Sequence, residues 1–340
     1  MCVNAGPIDV NVTYLSPIEP TDPVKQSFPI SYVSLTAASN DGQPHAVQVY
    51  LDITGEWLSG DRSSPMYWNT TTGPVILHEA LLVEPQPLAE KGRQAQDATL
   101  YFGALSTEHN TTWQADLAPA TRAQFKIEGH LTNQSNRGPM AINANSFEVF
   151  AVSMDLGLVT ETTNPVVWAV ALTRDPAIVF MNSSDATEMR SPYWATSGSA
   201  SSLVTSYLQN FQSTMDRAVG LDESFAKNAA TISPQLVDLV SLAARQVMAS
   251  TELTVGGSAG QYDVSDVKMF MKDIDSSLNG RVNPVEILYG AFPFFLTINA
   301  TLGGWLLRPI LDFASSSSWH EAFAPADIGS VLLCGAVHGF

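Results

Sequence analysis

The chain has 340 residues, of which 45% are hydrophobic and 14% are charged, so it can form sizeable cores and whole-chain disorder is excluded. Asp and Glu number 33 against 16 Lys and Arg, and the resulting net charge of -17 excludes a nucleic-acid-binding protein, because phosphate contacts need clustered basic residues. This length predicts two domains, at roughly 150 residues each.

The first residues, Met-Cys-Val-Asn-Ala-Gly-Pro, contain neither a basic segment nor an apolar run, so no signal peptide is predicted in this chain. Asn-x-Ser/Thr acceptors nevertheless occur about twice as often as the composition gives by chance, which is typical of a secreted glycoprotein. The Ser/Thr-rich composition alone is the other explanation. We expect an extracellular protein whose leader is absent from this sequence. The predicted glycosylation sites are Asn11, Asn69, Asn110, Asn133, Asn182 and Asn299.

Up to about residue 190 the sequence has the period of β-strands. Residues 45–54 (HAVQVYLDIT) alternate apolar and polar side chains, and similar short runs follow between clusters of Gly, Pro, Asn and Ser. Many short strands with no helical stretch between them predict an antiparallel β-sandwich over residues 1–190. The predicted strands are 45–54, 99–105, 124–131, 147–158 and 166–173.

From about residue 195 the period becomes helical, with apolar side chains at steps of three or four from Val204 to Ala218. The Gly-rich residues 255–260 are interpreted as a turn between helices. The predicted helices start at Ser201 or Ser202, at Ser233-Pro234, at Asp263 (ending at Gly280) and at Pro284, where an apolar pair closes near Ala314. Residues 195–340 are therefore predicted to be an open helical layer, and the whole chain an α+β multidomain protein.

One uncharged stretch, 287–307, has the length of a membrane span. Pro293 and the pair Gly303-Gly304 interrupt it, so two short buried helices are predicted there and no membrane partner is expected. The two cysteines, Cys2 and Cys334, lie at opposite ends, and the histidines are never paired at helical metal-ligand spacing. We expect no metal and no cofactor.

Carboxylates are the residues left to carry chemistry, because the chain has no Gly-x-Ser-x-Gly nucleophile motif and no phosphate-binding loop. A carboxylate pair can hydrolyse an amide or a glycosidic bond. The predicted catalytic residues are Asp327, in a loop with Pro and Gly, and Glu252, just past a helix. Glu252 could equally be a solvated acid at a helix end, and Glu286 is more simply an acid that stabilises a helix dipole.

A second cluster, Asp52, Glu56 and Trp57 in the segment LDITGEW, combines carboxylates with an aromatic ring at a strand end. Such a cluster could bind a sugar or a peptide, and these three residues are the predicted substrate-binding site. The alternative is that Trp57 packs at a domain interface.

Several segments resemble one family. Residues 25–32 (KQSFPISY), 47–57 (VQVYLDITGEW), 174–178 (RDPAI), 251–254 (TELT) and 282–287 (VNPVEI) follow one another in the order found in the fungal secreted glutaminase A family. The resemblance implies a β-sandwich followed by an (α/α) six-hairpin toroid. It also implies an extracellular enzyme that hydrolyses L-glutamine to L-glutamate and ammonia.

Two other functions stay open. The six-hairpin toroid also occurs in carbohydrate-active enzymes, so a glycoside hydrolase is one alternative. A non-catalytic carbohydrate-binding protein is the other, and the expected ligand is therefore a small molecule or a carbohydrate.

The chain departs from the family near its end. Ala326 stands where the family has a histidine, while Asp327 and Gly329 match, and beyond Ser330 the family continuation is lost. The family's chains are considerably longer, so residues 195–340 are expected to form an incomplete toroid. Its unpaired hairpins would expose apolar surface over residues 285–313. We therefore expect a catalytically incompetent member of a hydrolase family.

Overall fold

The computed structural model describes residues 1–92, 94–106, 109–181, 186–273 and 280–329, and the backbone of 333–334. Its strands, in chain order, are β1 (Cys2–Ala5), β2 (Ile8–Leu15), β3 (Ile30–Ser39), β4 (His45–Thr54), β5 (Pro65–Thr71), β6 (Val75–Leu82), β7 (Gln86–Lys91), β8 (Gln94–Gln96), β9 (Thr99–Leu105), β10 (Asn110–Leu117), β11 (Gln134–Ser135), β12 (Met140–Ala141), β13 (Glu148–Val159), β14 (Val166–Thr173), β15 (Ile178–Met181), β16 (Ala186–Met189), β17 (Thr251–Ser258), β18 (Gln261–Asp273), β19 (Arg281–Val282) and β20 (Leu333–Cys334).

The helices of the described residues are α1 (Pro23–Ser27), α2 (Ala118–Glu128), α3 (Ala200–Gln209), α4 (Phe211–Ala230), α5 (Pro234–Ala249), α6 (Val285–Ile298) and α7 (Ala300–Ala314), with 3-10 turns at Gly55–Leu58 and Pro192–Ala195. None of these helices combines the length and apolar character that crossing a bilayer requires. Strands followed by helices make an α+β protein, so the predicted fold class is confirmed.

The chain forms two compact units, each assembled from three separate stretches. Unit 1 comprises Met1–Ser16, Pro29–Arg174 and Ser199–Gln212. Unit 2 comprises Pro17–Phe28, Asp175–Gly198 and the described part of the chain from Ser213 onward. The predicted boundary at residues 190–195 lies inside one of the stretches of unit 2.

Unit 1 is a β-sandwich. One sheet has eight strands in the order β1-β2-β3-β14-β9-β6-β5-β12, and the other has four in the order β11-β10-β13-β4. Their facing side chains form one apolar core, in which Phe102 and Trp168 of the first sheet meet Phe150 and Val152 of the second. The indole nitrogen of Trp168 donates to the carbonyl of Val152 at 3.4 Å, so a hydrogen bond also joins the two sheets.

Four of the five strands predicted for this region are present. The fifth, 124–131, is wrong, because residues up to Glu128 belong to helix α2. Proline in its first turn and Gly129 at its end, with φ of 71°, are ordinary helix boundaries. Phe125 stacks on Tyr50 of the sandwich with ring centroids 5.0 Å apart, whereas Ile127 is exposed. The alternation of apolar residues at Phe125 and Ile127, which suggested a strand, therefore did not indicate one.

Unit 2 contains a β-hairpin that the sequence did not predict. Residues expected to form the helix from Asp263 are strand β18, which pairs with β17 across the turn Ala259-Gly260. The five residues Val267–Met271 are all buried, because one face packs on α6 and α7 and the other on β15. A strand buried on both faces has no period of two, which explains the error. The predicted end of that helix partly lies outside the described residues.

The Gly-rich residues 255–260 are likewise not an inter-helix turn, since they include the end of β17. Gly257 has φ of +95°, and a Cβ there would lie 2.3 Å from the carbonyl oxygen of Gln261. Glycine is required at this close approach of two strands.

The remaining helix predictions are largely confirmed. Ser233 caps α5 by accepting a hydrogen bond from Leu236 N, and proline follows at the first helical position. Helices α6 and α7 form the predicted apolar pair, which ends at Ala314. The first helix differs, because Ser199 caps it rather than Ser201 or Ser202, and it breaks into α3 and α4 at Asn210.

Candidate functional site

The predicted catalytic residue Glu252 lies on β17 and forms an ion pair with Lys272 of the neighbouring strand β18. Both side chains are about three-quarters buried, and Glu252 stands opposite Phe270 in the strand register. A carboxylate held by an ammonium group in this way is fixed in position. Glu252 is thus part of a sheet, not a solvated acid at a helix end.

Asp327 lies in a turn beside the start of α6. Its Oδ1 accepts a hydrogen bond from Gly329 N at 3.0 Å. Main-chain hydrogen bonds join Ile328 N to the Val282 carbonyl at 3.0 Å and Val285 N to the Ala326 carbonyl at 2.9 Å. This segment therefore runs along the free edge of β19, and Asp327 sits next to the backbone that carries the first turn of α6.

The structure does not bring Glu252 and Asp327 together. Glu252 is on β17, and β18 and β19 lie between that strand and the segment of Asp327. Three strand spacings of ~4.8 Å put the two backbones on the order of 14 Å apart.

A group of charges at the start of α6 was not predicted as a unit. The guanidinium of Arg281 contacts Asp273 Oδ2 at 3.0 Å and Glu286 Oε1 at 2.7 Å. A backbone hydrogen bond at the helix start and the contact with Arg281 lower the pKa of Glu286. We call Asp273, Arg281 and Glu286 the Arg281 cluster. With Asp327 on the adjacent segment, it presents both signs of charge at one partly exposed place in unit 2.

In a second network of charged residues in unit 2, the side chains form ion pairs with one another. Lys268, almost fully buried, forms ion pairs with Asp266 and with Asp312, the latter at 3.3 Å. Arg308 reaches the same two carboxylates at 3.3 and 3.9 Å. Two cations matched by two carboxylates balance their charges inside the network, so we assign it a structural role.

The predicted substrate-binding residues of unit 1 have separate partners. Arg122 donates to both oxygens of Asp52, at 2.8 and 2.9 Å, and the hydroxyl of Tyr50 donates to the same carboxylate at 2.5 Å. Glu56 accepts from the hydroxyl of Thr54 at 3.0 Å and pairs with an arginine. Trp57 is 45% exposed. Asp52 is therefore occupied by contacts within the fold, while Trp57 stays open to solvent.

The predicted glycosylation sites differ in accessibility. Asn11, Asn69, Asn110 and Asn133 are exposed, and Asn182 lies outside the described residues. Asn299 is half-buried between α6 and α7. Its Oδ1 accepts from Thr301 N at 3.0 Å, and its Nδ2, the atom a glycan would occupy, donates to the carbonyl of Pro20 at 2.7 Å.

Within the described part of the chain, no group of three His, Cys, Asp or Glu residues is arranged to hold a metal ion. His78, the buried histidine of the sandwich, is held by Thr70 at 2.8 Å and by the Ala151 carbonyl at 3.1 Å. Burial lowers its pKa to about 4, so it is neutral and contributes to the core. The absence of a cofactor stays a prediction.

Sequence reasoning missed a buried carboxyl group in unit 1. Glu148, the first residue of β13, is 1% exposed, and neither of its oxygens has a hydrogen-bonding partner among the described residues. Its neighbour in the sheet register is Leu117, the residue after Asp116. Burial, and then the charge of Asp116, raise the pKa of Glu148 to about 7. Leu117 and Glu148 are 31 positions apart in the chain, so no short sequence pattern indicates that they are neighbours.

Most of the chain matches two models of known protein families. Residues 1–228 match the family model described as Domain of unknown function (DUF5127), and residues 233–332 match the Glutaminase A six helical-hairpin domain. Among curated proteins, the chain is similar to Glutaminase A of Aspergillus oryzae, with 29% identity over 327 residues, and to Probable glutaminase of Arthroderma benhamiae, with 27% identity over 349 residues. Each alignment covers 95% of this chain but only 46% and 37% of the relative, so the chain spans less than half of their length.

Proposed function

Because this chain belongs to the DUF5127 family and is homologous to fungal glutaminase A over 95% of its length, we propose that it is part of an amidohydrolase that converts L-glutamine to L-glutamate and ammonia. The observation that carries this proposal is the order of the two family matches. A DUF5127 region is followed directly by a glutaminase A helical-hairpin region, and two relatives named as glutaminases align across both.

The charges of unit 2 support this substrate class. L-Glutamine carries an ammonium and a carboxylate on its α-carbon, and recognition of such a zwitterion needs a cation and an anion side by side. The Arg281 cluster offers both within about 3 Å of each other. We propose that this cluster binds the α-substituents.

In the proposed reaction, Asp327 accepts a proton from the attacking water, and the oxygen of that water bonds to the side-chain carbonyl carbon. The C–N bond breaks, and the proton passes to nitrogen, which leaves as ammonia. Asp327 is the best placed of the predicted acids for this role, because it lies on the segment bonded to the start of α6. Glu252 is committed to Lys272 on another strand.

We further propose that this chain by itself turns glutamine over poorly. A domain of helical hairpins buries the apolar faces of its helices against one another. In the described residues, Tyr289 of α6 is 84% exposed, Leu296 is 56% exposed, and Leu239 of α5 is 62% exposed. These side chains are the surface on which further hairpins would pack.

The test is ammonia release from L-glutamine by the purified chain, with L-asparagine as the control substrate, combined with a thermal-shift measurement of L-glutamine binding. The expected result is a glutamine-dependent rise in melting temperature with little ammonia. Arg281→Gln should abolish that rise, whereas Asp327→Asn should keep the rise and abolish the remaining ammonia release. Asp222→Asn, at an exposed acid on α4, should change neither.

Ammonia release at the rate of Glutaminase A of Aspergillus oryzae would support the glutaminase function and contradict poor turnover. Neither binding nor ammonia would contradict both proposals. Reducing sugar released from oligosaccharides in the same preparation would favour a glycoside hydrolase instead.

We also propose that the protein is secreted and glycosylated at its exposed acceptors, but not at Asn299. The support is that the amide nitrogen of Asn299 is engaged with Pro20 inside unit 2, whereas Asn69 and Asn110 are exposed. Expression in a fungal host followed by glycopeptide mapping is the test. A glycan on Asn299, or none on any exposed acceptor, would contradict the proposal.

A further inference from the structure

We propose that unit 1 binds the first sugar of a glycan attached to Asn69, with the sugar ring packed on Tyr67 and its polar substituents in a pocket between β6 and α3. The ligand is an N-acetylglucosamine linked through its anomeric carbon to the side-chain nitrogen of Asn69. The inference rests on the proposed glycosylation of exposed acceptors and goes beyond it, because it gives one of those glycans a place in the fold. It does not depend on the proposed glutaminase function.

The first argument is the position of the acceptor on strand β5. Side chains two residues apart on a strand lie on the same face, about 6–7 Å from each other. Tyr67, Asn69 and Thr71 therefore share the outer face of the eight-stranded sheet, and all three are exposed. Met66 and Trp68 lie on the other face, which packs into the core of the sandwich. A sugar ring attached to Asn69 is thus within reach of the side chains on both sides of it.

The second argument is the uncovered ring of Tyr67, which is 46% exposed. The face of an aromatic ring carries partial negative charge and the C–H bonds of a sugar carry partial positive charge, so a sugar ring packs on it favourably. Such packing also removes apolar surface of the tyrosine from water. Among the predicted acceptors, Asn69 alone has an exposed aromatic residue two positions before it.

The third argument is a polar pocket beside the acceptor. Asn69 stands opposite Glu79 of β6 in the strand register. Glu79 and Thr71 line a pocket of about 260 Å³, and the first turns of α3, which belongs to the same unit, form its other wall. The lining residues are Thr71, Leu77, Glu79, Ser201, Ser202 and Thr205.

The pocket has the chemistry that a neutral sugar requires. Hydroxyl groups both donate and accept hydrogen bonds, and a carboxylate accepts them from the hydroxyl and amide groups of a sugar. The hydroxyl of Tyr101 donates to one oxygen of Glu79 at 3.0 Å, which orients this carboxylate and leaves it able to accept further hydrogen bonds. Strand β5 and helix α3 contain no charged residue. One carboxylate among hydroxyl groups suits a polar, uncharged ligand.

The sugar is placed by a covalent bond, so its binding needs little affinity from solution. Transfer from a lipid-pyrophosphate-linked oligosaccharide joins Asn69 Nδ2 to the anomeric carbon. The bond from that carbon to the pyrophosphate breaks, and the amide loses one proton. Because one end of the sugar is then fixed, weak contacts with Tyr67 and with the pocket are enough to hold it. The sugar makes these contacts only in the folded chain, so it stabilises unit 1.

The experiment measures thermal unfolding of unit 1 in the full chain, expressed in a fungal host, with glycopeptide mapping of every acceptor. Tyr67→Ala, Asn69→Gln and the double variant form one cycle. In the glycosylated chain, Tyr67→Ala should lower the melting temperature by about 2–4 °C. In the Asn69→Gln chain the same substitution should change it very little, because the exposed ring then contacts only water on that face. Ser202→Ala, in the wall of the pocket, should likewise lower it more in the glycosylated chain than in the Asn69→Gln chain.

The matched control is the acceptor Asn11 on strand β2. It also has a threonine two positions after it, but it has Asp9 instead of an aromatic residue two positions before it. The exposed Tyr14 is three positions away and therefore on the opposite face of the strand. The effects of Tyr14→Ala and Asn11→Gln on the melting temperature should simply add.

Additive effects of Tyr67→Ala and Asn69→Gln would overturn the contact with the ring, and additive effects of Ser202→Ala and Asn69→Gln would overturn the contact with the pocket. Glycans on other acceptors but none on Asn69 would overturn this proposal and leave the proposed glycosylation standing. A chain without any glycan would overturn both.

If Tyr67→Ala prevents folding or glycosylation, proton NMR of the wild type trimmed to one sugar at each acceptor decides. The ring of Tyr67 should shift the C–H protons of the sugar on Asn69 upfield, whereas the sugar on Asn11 should show no such shift. Equal shifts at the two sites would overturn the proposal.

Discussion

Unit 1 and unit 2 bury their apolar side chains by different means. In unit 1, two sheets enclose a core in which Phe102, Phe150 and Trp168 are almost fully shielded from solvent. In unit 2, helices α6 and α7 cover one face of the β17–β18 hairpin, but Tyr289 and Leu296 on the far side of α6 remain in solvent. Two sheets packed face to face bury the apolar side chains of both. A helix with apolar residues on two sides needs a second packing partner to bury both sides.

The largest effect should come from the closed core of unit 1. Phe150→Ala removes a ring that packs against His78 and Trp68, with centroids 5.7 and 6.1 Å away, and leaves a cavity. We expect the free energy of unfolding of unit 1 to fall by about 3–5 kcal/mol, measured by urea unfolding. Tyr14→Ala, which removes an exposed ring from the same unit, should change it by less than about 0.5 kcal/mol. Equal effects of the two substitutions would mean that the core is not closed.

An intermediate effect should come from a buried polar side chain in unit 2. Asn283 accepts from Met271 N at 2.7 Å and donates to the Leu306 carbonyl at 2.9 Å, so it links the hairpin to α7. Asn283→Ala leaves both groups unpaired and places alanine at a φ of 49°, so we expect a loss of about 2–3 kcal/mol. Thermal unfolding measures this loss, with Asn228→Ala, at an exposed position of α4, as the control. A loss no larger than the control's would show that helices alone hold unit 2 together.

The smallest effect on stability should come from the exposed face of α6. Tyr289→Ser combined with Leu296→Ser should change the free energy of unfolding by less than about 1 kcal/mol while reducing self-association, since both side chains already contact water. Leu288→Ser, on the buried face of the same helix, is the matched comparison and should cost several-fold more. Light scattering and urea unfolding report the two quantities. If the double variant were as destabilised as Leu288→Ser, this face would already be covered within the chain.

The elements that the sequence predicted well depend only on neighbouring residues in the chain. The alternation in β4 and the Ser233-Pro234 start of α5 each lie within a few residues, and both are where the sequence placed them. The strand β18 was misread as a helix because its identity depends on neighbours on both faces, which the spacing of Val267 and Phe270 does not reveal.

The arrangement of the candidate site residues likewise depends on contacts between distant parts of the chain. The sequence named Asp327 and Glu252 as individual acids, but their separation depends on how many strands lie between them. The pairing of Arg281 with Asp273 and Glu286 involves residues within about a dozen positions, yet it became visible only once β18 and β19 were side by side. The buried Glu148 was missed because its burial depends on the pairing of β13 with β10, which spacing along the chain does not reveal.

The division of unit 1 into three stretches has a consequence for its synthesis. The hydroxyl of Tyr32 donates to the carbonyl of Tyr207 at 3.3 Å, across 175 positions, and its ring meets that of Phe211 at 5.2 Å. At a translation rate of about 5–20 residues per second, the ribosome needs on the order of 10–35 s to supply these late partners. During that time the nascent sandwich carries an uncovered Tyr32. The slow step in completing unit 1 is thus set by elongation of the polypeptide rather than by the pairing of its strands.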